Sequence, residues 1–316
     1  MTAAAVLALY VVVAVLLSPR LLTRGEWAGR APRLAICVWL AACASVVASA
    51  VLSALAVAIP ASVIGHGLAG FFEACAGMLS DGASFTSPGA RAALLCAALI
   101  TVRITHCGAA IVVRARRERR RHAEMLNLLG RHDGALGAVV LDHDEAAAYC
   151  LPGRDGKAVI TTGALRSLTP EQVAAVLAHE RAHLRGRHHL LLAAAETFCR
   201  AFPRLPLFGR AKEEIARLVE LLADDVAARR HPRIHIATAL IRLATGRAPA
   251  FALGAGGQAA LTRVQRMLSP AAPLRPGERL AGLAAVALLL AGPAAVAAIP
   301  AVSSFLAHYR HGVSLL

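Results

Sequence analysis

The stretch HERAHLRGRHH at residues 179–189 contains residue types at spacings that zinc chemistry uses. His179 and His183 are four residues apart, so on a helix both imidazoles share a face and can reach one Zn²⁺. Glu180 is placed to act as general base on the attacking water rather than as a ligand. The first five residues therefore fit the HExxH pattern and predict a zinc metalloendopeptidase with one Zn²⁺ per chain.

The same stretch has a non-catalytic interpretation, because the chain contains 13 histidines and HExxH alone is moderately specific. It could be a histidine-rich and arginine-rich amphipathic helix at a membrane surface. The start of the predicted helix favours the metal site. Thr169 is a good N-cap, Pro170 suits the first helical position and Gln172 stands at the capping-box position. A well-capped helix is the context that a zinc protease needs.

The third metal ligand has two candidates. All eleven residues fit the longer pattern HExxHxxGxxH, in which Gly186 would end the helix and His189 would return to the metal. The residues after Gly186 are typical of a continuing helix, and Met267 is placed at a helix end rather than in a turn beneath a metal. The pattern thus predicts that His188 and His189 lie on the surface or in helix packing.

The second candidate is Glu220, on the predicted helix 212–230. Glu220 and Asp224 are one helical turn apart, and a glutamate from a second helix can complete a His₂Glu site that leaves one position to water. Asp224 would then orient a ligand histidine from outside the metal's ligand set. The other acids considered lack a partner acid at this spacing: Glu196, Glu213 and Glu214. We therefore predict zinc bound by His179, His183 and Glu220.

Composition places these residues in a membrane protein. Hydrophobic residues make up 57% of the 316, while the formal net charge is +15, which together indicate apolar spans joined by basic loops. Four segments are long enough to cross a bilayer: residues 1–17, 34–59, 92–113 and 280–302. The first resembles a retained anchor more than a signal peptide, because no basic residue precedes its apolar run. The predicted organisation is three spans in 1–113, a domain at 114–279 and a fourth span with a short tail in 280–316.

Arginine placement predicts the orientation. The connection after the first span carries four arginines against one acid, whereas residues 60–90 contain no Lys or Arg. By the positive-inside rule the domain at 114–279 is cytoplasmic in a multi-pass cell-membrane protein, and both termini are external. The arginine run at 114–121 follows a span, so we interpret it as an anchor on anionic lipid; no direct nucleic-acid binding is expected. Arg103 and His106, within the third span, should either face a partner or wet cavity or reach towards the surface.

The predicted domain has short β-prone runs followed by helices. The runs are 135–141, 147–151 and 158–162, separated by turn residues, and after Gly163 the pattern becomes helical. An exposed strand near 158–162 could pair with an extended substrate. The predicted fold class is a multi-span α-helical membrane protein with a small gluzincin-like (zincin) α+β metalloprotease domain.

Four motifs resemble those of the BlaR/MecR-type integral membrane zinc metallopeptidases: Tyr149-Cys-Leu-Pro-Gly-Arg154, Val159-Ile-Thr-Thr-Gly-Ala-Leu165, Val176-Leu-Ala-His-Glu-Arg-Ala-His183 and Glu220-Leu-Leu-Ala-Asp224. The resemblance implies zinc on His179, His183 and Glu220, with Glu180 as the catalytic residue. It also implies a regulatory, antirepressor role in signal transduction such as an antibiotic response. The substrate would be a cytosolic winged-helix repressor or the protease itself.

One departure limits the resemblance. The β-lactam-sensing members add an extracellular penicillin-binding domain after the last span, whereas here 14 residues follow Val302 and contain no SxxK motif. We therefore do not expect direct covalent β-lactam sensing by this chain. Two alternatives stay open: a housekeeping membrane protease of the prenyl-protease or heat-shock type, and a non-catalytic membrane scaffold whose zinc site is structural.

Overall fold

The computed structural model describes residues 2–58, 88–153, 156–245, 255–269 and 272–313. The helices are α1 (Thr2–Leu22), α2 (Trp27–Arg30), α3 (Pro32–Ala58), α4 (Pro88–Leu129), α5 (Thr162–Ser167), α6 (Pro170–Arg185), α7 (His188–Ala201), α8 (Pro206–Ala227), α9 (Arg233–Thr245), α10 (Ala255–Leu268) and α11 (Pro276–Val313). The strands are β1 (Gly130–Asp133), β2 (Ala138–Leu141), β3 (Ala148–Leu151) and β4 (Lys157–Thr161).

Four helices are long and apolar enough to cross a membrane: α1, α3, α4 and the part of α11 at Pro276–Ile299. They coincide with the four predicted spans, which supports a multi-span membrane protein. Helix α4 continues well past the predicted end of its span, and its 42 residues extend for about 60 Å, twice the apolar thickness of a bilayer. The external loop predicted for 60–90 lies outside the described residues except for 88–90.

The four strands form a small mixed sheet in the order β1-β2-β4-β3, with β2 and β4 parallel and the other pairs antiparallel. Side chains alternate between its two faces. On one face Val140 and Ile160 pack against Val176 and Leu177 of α6. On the other face Val159 and its neighbours pack against Leu126, near the C-terminal end of α4. The α/β domain is therefore layered between α6 and the extension of a membrane span.

The position of the strands corrects one expectation. The run 158–162 forms β4, which is paired on both sides and has no free edge for a substrate. Strands β1 and β3 are the two edge strands, and β3 is the edge that contacts the HExxH helix α6; among the described residues no strand pairs with the outer side of β3. Strand β1 was not predicted, because Gly-Arg-His-Asp has no apolar alternation. A substrate that adds to this sheet would add to β3.

Helices α7 and α8 form a hairpin that packs against the spans. Phe208 and Ile215 of α8 are buried in one cluster with Trp39 and Cys43 of α3. Helix α7 runs antiparallel to α4, and the Arg103 side chain of α4 donates a hydrogen bond to the carbonyl oxygen of Ala201 at the end of α7. Arg103 thus faces a partner, the first of the two predicted alternatives.

The connection between α1 and α3 holds the domain from its other side. Arg266 of α10 donates to the carboxylate of Asp225 on α8 at 2.8 Å and to the carbonyl oxygen of Gly29 at 2.9 Å. Arg30 of α2 forms an ion pair with Glu278 at the start of α11, with 3.2 Å between the charged atoms. The C-terminal end of α8, which carries Asp225, is therefore fixed relative to the candidate membrane spans by charged contacts.

Candidate metal centre

Helix α6 carries the HExxH residues, and its N-terminus is capped by side-chain hydrogen bonds. The Thr169 hydroxyl accepts from the backbone N–H of Gln172, and the Gln172 side chain accepts from the backbone N–H of Thr169. This is the predicted capping box, and Pro170 stands at the first helical position. The apolar side of the helix is buried on the sheet, so the other side carries His179 and His183 towards α8.

The three predicted zinc ligands are brought together. His179, His183 and Glu220 each offer a ligand atom, and these atoms all lie within 4.8 Å of one another. The Nε2 atoms of the two histidines are 3.0 Å apart, and each lies 3.5 Å from an oxygen of Glu220. Ligands at about 2.1 Å from a tetrahedral zinc are separated by about 3.4 Å. The donor set and its spacings fit one Zn²⁺.

Asp224 supports this set from the far side of an imidazole. It is 0% exposed, and its Oδ1 lies 2.9 Å from Nδ1 of His179, the ring nitrogen that faces away from the other ligands. A carboxylate on the second nitrogen of a ligand histidine fixes the ring and its tautomer, as zinc sites commonly require. The structure thus places Asp224 where the sequence pattern predicted it.

Arg263 of α10 is a part of the site that the sequence did not reveal. Its guanidinium donates to both oxygens of Asp224, at 2.8 and 2.7 Å, and another of its nitrogens lies 3.0 Å from Glu220. One residue therefore holds the ligand carboxylate and the supporting carboxylate together. Such a bidentate fork fixes geometry as well as charge.

The pKa values of His179 and His183 are shifted in opposite directions. Burial alone would lower the pKa of His179, but the adjacent Asp224 and Glu220 carboxylates outweigh it and raise that pKa to about 9. Burial and the positive charge of His179 lower the pKa of His183 to about 4. Near neutral pH and without metal, His179 is therefore positively charged, with both ring nitrogens protonated. His183 is neutral and able to bind a metal.

The pKa values of the Glu180 and Glu220 carboxyl groups are also shifted in opposite directions. Burial raises the pKa of Glu180. Burial acts the same way on Glu220, but His179 and Arg263 outweigh it and hold the pKa of Glu220 below its usual value. The suggested base thus retains a proton more readily than the suggested ligand, which suits the two different roles.

Cys150 of β3 lies against Glu180. Burial, followed by the charge of the nearby Glu180 carboxylate, raises the pKa of Cys150 to about 12. The thiol therefore stays protonated beside the carboxylate. Through this contact the edge strand touches the HExxH helix beside the ligands.

The turn after HExxH differs from the prediction. The expected continuous helix is wrong: α6 ends at Arg185, and Arg187 adopts a left-handed backbone with φ of +48° before α7 begins. Gly186 is required by space, because a Cβ there would overlap the His188 imidazole. His188 is 3% exposed, and its Nδ1 lies 3.0 Å from Nδ1 of His183. His188 therefore braces a ligand ring, and His189 lies outside the cluster of three ligand atoms.

The structure thus brings together a partly buried group of two histidines and a glutamate, with Glu180 beside it on an α/β domain, and this donor set is of the type that zinc metallopeptidases use. Residues 113–269, which contain all of these side chains, match the model of peptidase family M48. The match supports a zinc-dependent metallopeptidase. No solved structure matches the chain.

Proposed function

We propose that this chain is a gluzincin-like zinc endopeptidase embedded in the cell membrane. The observation that carries the proposal is the convergence of His179, His183 and Glu220, from two helices, within 4.8 Å. Glu180 is adjacent to this cluster, and its pKa is raised whereas the pKa of Glu220 is lowered. The match to a peptidase family over the same residues supports the assignment.

The residues divide the chemistry among them. A bound Zn²⁺ supplies a Lewis acid that polarises the scissile carbonyl and lowers the pKa of the attacking water. Glu180 accepts the proton of that water and passes it to the leaving amine, a transfer helped by its raised pKa. The Cys150 thiol lies beside the Glu180 carboxylate, and Arg263 keeps Glu220 and Asp224 in place.

The edge strand suggests how a substrate is held. The outer side of β3 is free of strand pairing in the described chain, and Cys150 of that strand lies at Glu180. An extended peptide can add to such an edge through main-chain hydrogen bonds. The scissile bond would then lie between β3 and the HExxH helix.

The regulatory part of the proposal rests on the resemblance to the BlaR/MecR-type peptidases. The substrate would be a cytosolic winged-helix repressor or the chain itself, cleaved on the cytoplasmic side of a multi-pass protein with external termini. The arginines that follow α1 and those on α4 past its span support this orientation.

The test uses the purified full-length protein with zinc, casein as an unstructured substrate and a winged-helix repressor encoded beside the gene. Glu180→Gln should retain about one zinc and lose cleavage by about a thousandfold, because the proton transfer is removed. Glu213→Gln, an exposed acid of α8 outside the site, should cleave as the parent does. Unchanged cleavage by Glu180→Gln would refute the enzyme, whereas cleavage of casein without cleavage of the repressor would refute the regulatory role.

A further inference from the structure

A groove lies beside the metal centre, where the cytosolic extension of α4, the end of β3 and the start of α7 meet. Its volume is about 570 Å³, and it is called the α4–α7 groove below. Side chains from all three elements line it, among them Arg116, Arg119, His122, Leu151, His189 and Leu190. The lining thus combines an apolar floor with cationic groups.

Two elements connect the groove to the metal centre. In β3, Cys150 lies against Glu180, and the next residue, Leu151, lines the groove. In α7, His188 lies against the ligand His183, and the next residue, His189, lines the groove. Cys150 faces α6 and Leu151 faces α4, so a peptide paired with the outer side of β3 reaches the α4–α7 groove where it extends past the Leu151 end of the strand.

The groove has an excess of positive charge. Arg116 and Arg119 both line it, whereas its one acid, Glu118, accepts a hydrogen bond from Arg114 at 2.8 Å. Arg119 is held in place by donating to the carbonyl oxygen of Ala115 at 2.9 Å. The two groove arginines are thus available to an acidic partner.

The pKa of His189 reflects the same positive charge. Burial lowers its pKa, and the charges of Arg119 and Arg187 lower it further. Its Nδ1 is buried and makes no hydrogen bond within the described structure. The imidazole of His189 thus lines the groove beside Arg116 and Arg119.

Strand polarity determines which part of a substrate enters. Antiparallel pairing is slightly more stable than parallel pairing, and in an antiparallel pair the substrate's N-terminal side lies at the Leu151 end of β3. At about 3.4 Å per residue, a groove of this size holds about three residues of an extended chain. Because the groove begins one residue beyond Cys150, these residues stand about two to four positions before the scissile bond.

We propose that the α4–α7 groove is a specificity site for acidic residues located upstream of the scissile bond. This inference rests on the proposed endopeptidase function and adds a substrate class to it: extended segments with Asp or Glu before the cleavage site. Anionic lipid is the competing ligand for arginines near a membrane surface. The peptide is favoured because the groove opens from the catalytic edge strand and is closed on one side by α7 of the peptidase domain.

The test compares two double variants of the full-length protein in nanodiscs. Arg116→Glu with Arg119→Glu reverses charge inside the groove, and Arg117→Glu with Arg120→Glu makes the same change in the same arginine run, outside the groove lining. A randomised peptide library, read by mass spectrometry, reports which residues precede the cleaved bonds. The parent and the outer variant should favour Asp and Glu about two to four positions upstream, and the groove variant should lose that preference and favour Lys and Arg.

Kinetics give the size of the effect. For a peptide with two upstream acids, kcat/KM of the groove variant should fall about tenfold, mainly through KM, because two charge-assisted contacts are lost. A peptide with neutral residues at those positions should be cleaved equally by all three proteins. An equal loss on both peptides, or an equal loss in the outer variant, would overturn the specificity site.

A binding measurement separates failure of this inference from failure of the proposed function. Glu180→Gln protein should bind a fluorescent acidic peptide, and the groove double substitution added to it should weaken binding about tenfold. Cleavage by the parent without any acidic preference would overturn the groove alone, whereas no cleavage would remove the enzyme and the inference with it. Competition of the peptide by phosphatidylglycerol vesicles but not by a second acidic peptide would show that the groove is a lipid site.

Discussion

The two helices that carry the three candidate metal ligands are buried in different surroundings. Helix α6 packs its apolar side on the sheet of the α/β domain, with Leu177 and Ile160 in one cluster. Helix α8 packs its apolar side on membrane-spanning helices, with Phe208 and Trp39 in another. The metal centre is therefore assembled along the seam between a soluble layer and a membrane bundle, and neither half contains a complete ligand set.

The largest expected effect comes from removing the ligand on the bundle side. Glu220→Ala should lower zinc affinity by more than about a thousandfold, because two histidines on one helix cannot complete the site. His189→Ala should leave zinc content near one per chain, since His189 is outside the ligand cluster. Metal analysis after dialysis against a weak chelator measures both. The reverse pattern would place the third ligand on α7 instead of α8.

Packing changes on each side of the seam test whether the two halves respond separately. Phe208→Ala on α8 and Leu177→Ala on α6 each remove a nearly fully buried side chain, which costs about 3–5 and 2–5 kcal/mol of stability. Hydrogen exchange should rise in α7 and α8 for the first variant and in the sheet and α6 for the second. Equal exchange in both regions for both variants would mean that the seam is not a structural boundary.

Arg263 contacts both carboxylates that α8 contributes to the site, Glu220 and Asp224. Arg263→Ala should weaken zinc binding by about 10–100-fold, as is typical when a supporting partner of ligand groups is lost. Arg266→Ala is the matched control, because it removes a similar bidentate pair with Asp225 on the same two helices without contact to a ligand. Titration with a zinc indicator distinguishes them. Equal weakening would show that α10 acts by holding α8 rather than by holding the ligands.

The smallest expected effect is a proton released on metal binding. The pKa of His179 in the metal-free protein is raised to about 9, so below that pH a metal must displace its proton. Zinc affinity should therefore rise with pH, by about tenfold per unit between pH 7 and 8.5, and level off above 9. Calorimetry in buffers of different ionisation enthalpy should find about one proton released at pH 7.5. Asp224→Asn removes the main group that raises this pKa, and should flatten the dependence.

The sequence contained enough to predict which residues the structure brings together at the candidate metal centre, because they follow helical periodicity. His179, His183, Glu220 and Asp224 are pairs at four-residue spacing, and local spacing survives in any fold that keeps the two helices. Arg263 gives no such signal: it reaches Asp224 across 39 residues, from a helix whose placement depends on tertiary packing. The role of the groove arginines was hidden for the same reason, since a run of arginines after a span has an adequate explanation in topology.

Strand order and helix depth were also beyond sequence reasoning. Runs 147–151 and 158–162 look alike in composition, and pairing with β2 decides which becomes the inner strand. The α7–α8 hairpin was placed wholly in a soluble domain because α8 carries charged residues such as Lys212 and Glu213. Those charges occupy one side of the helix, while its other side is as buried as a core helix.

The hydrogen bond from Arg103 to the end of α7 has a mechanical consequence. It attaches the C-terminal end of α7 to a point within the candidate membrane span of α4, and Gly108 of α4 faces Thr197 of α7 as a second point of contact. The other end of α7 carries His188 against His183. One helix, with no loop between, therefore connects the apolar span of α4 to a candidate ligand imidazole.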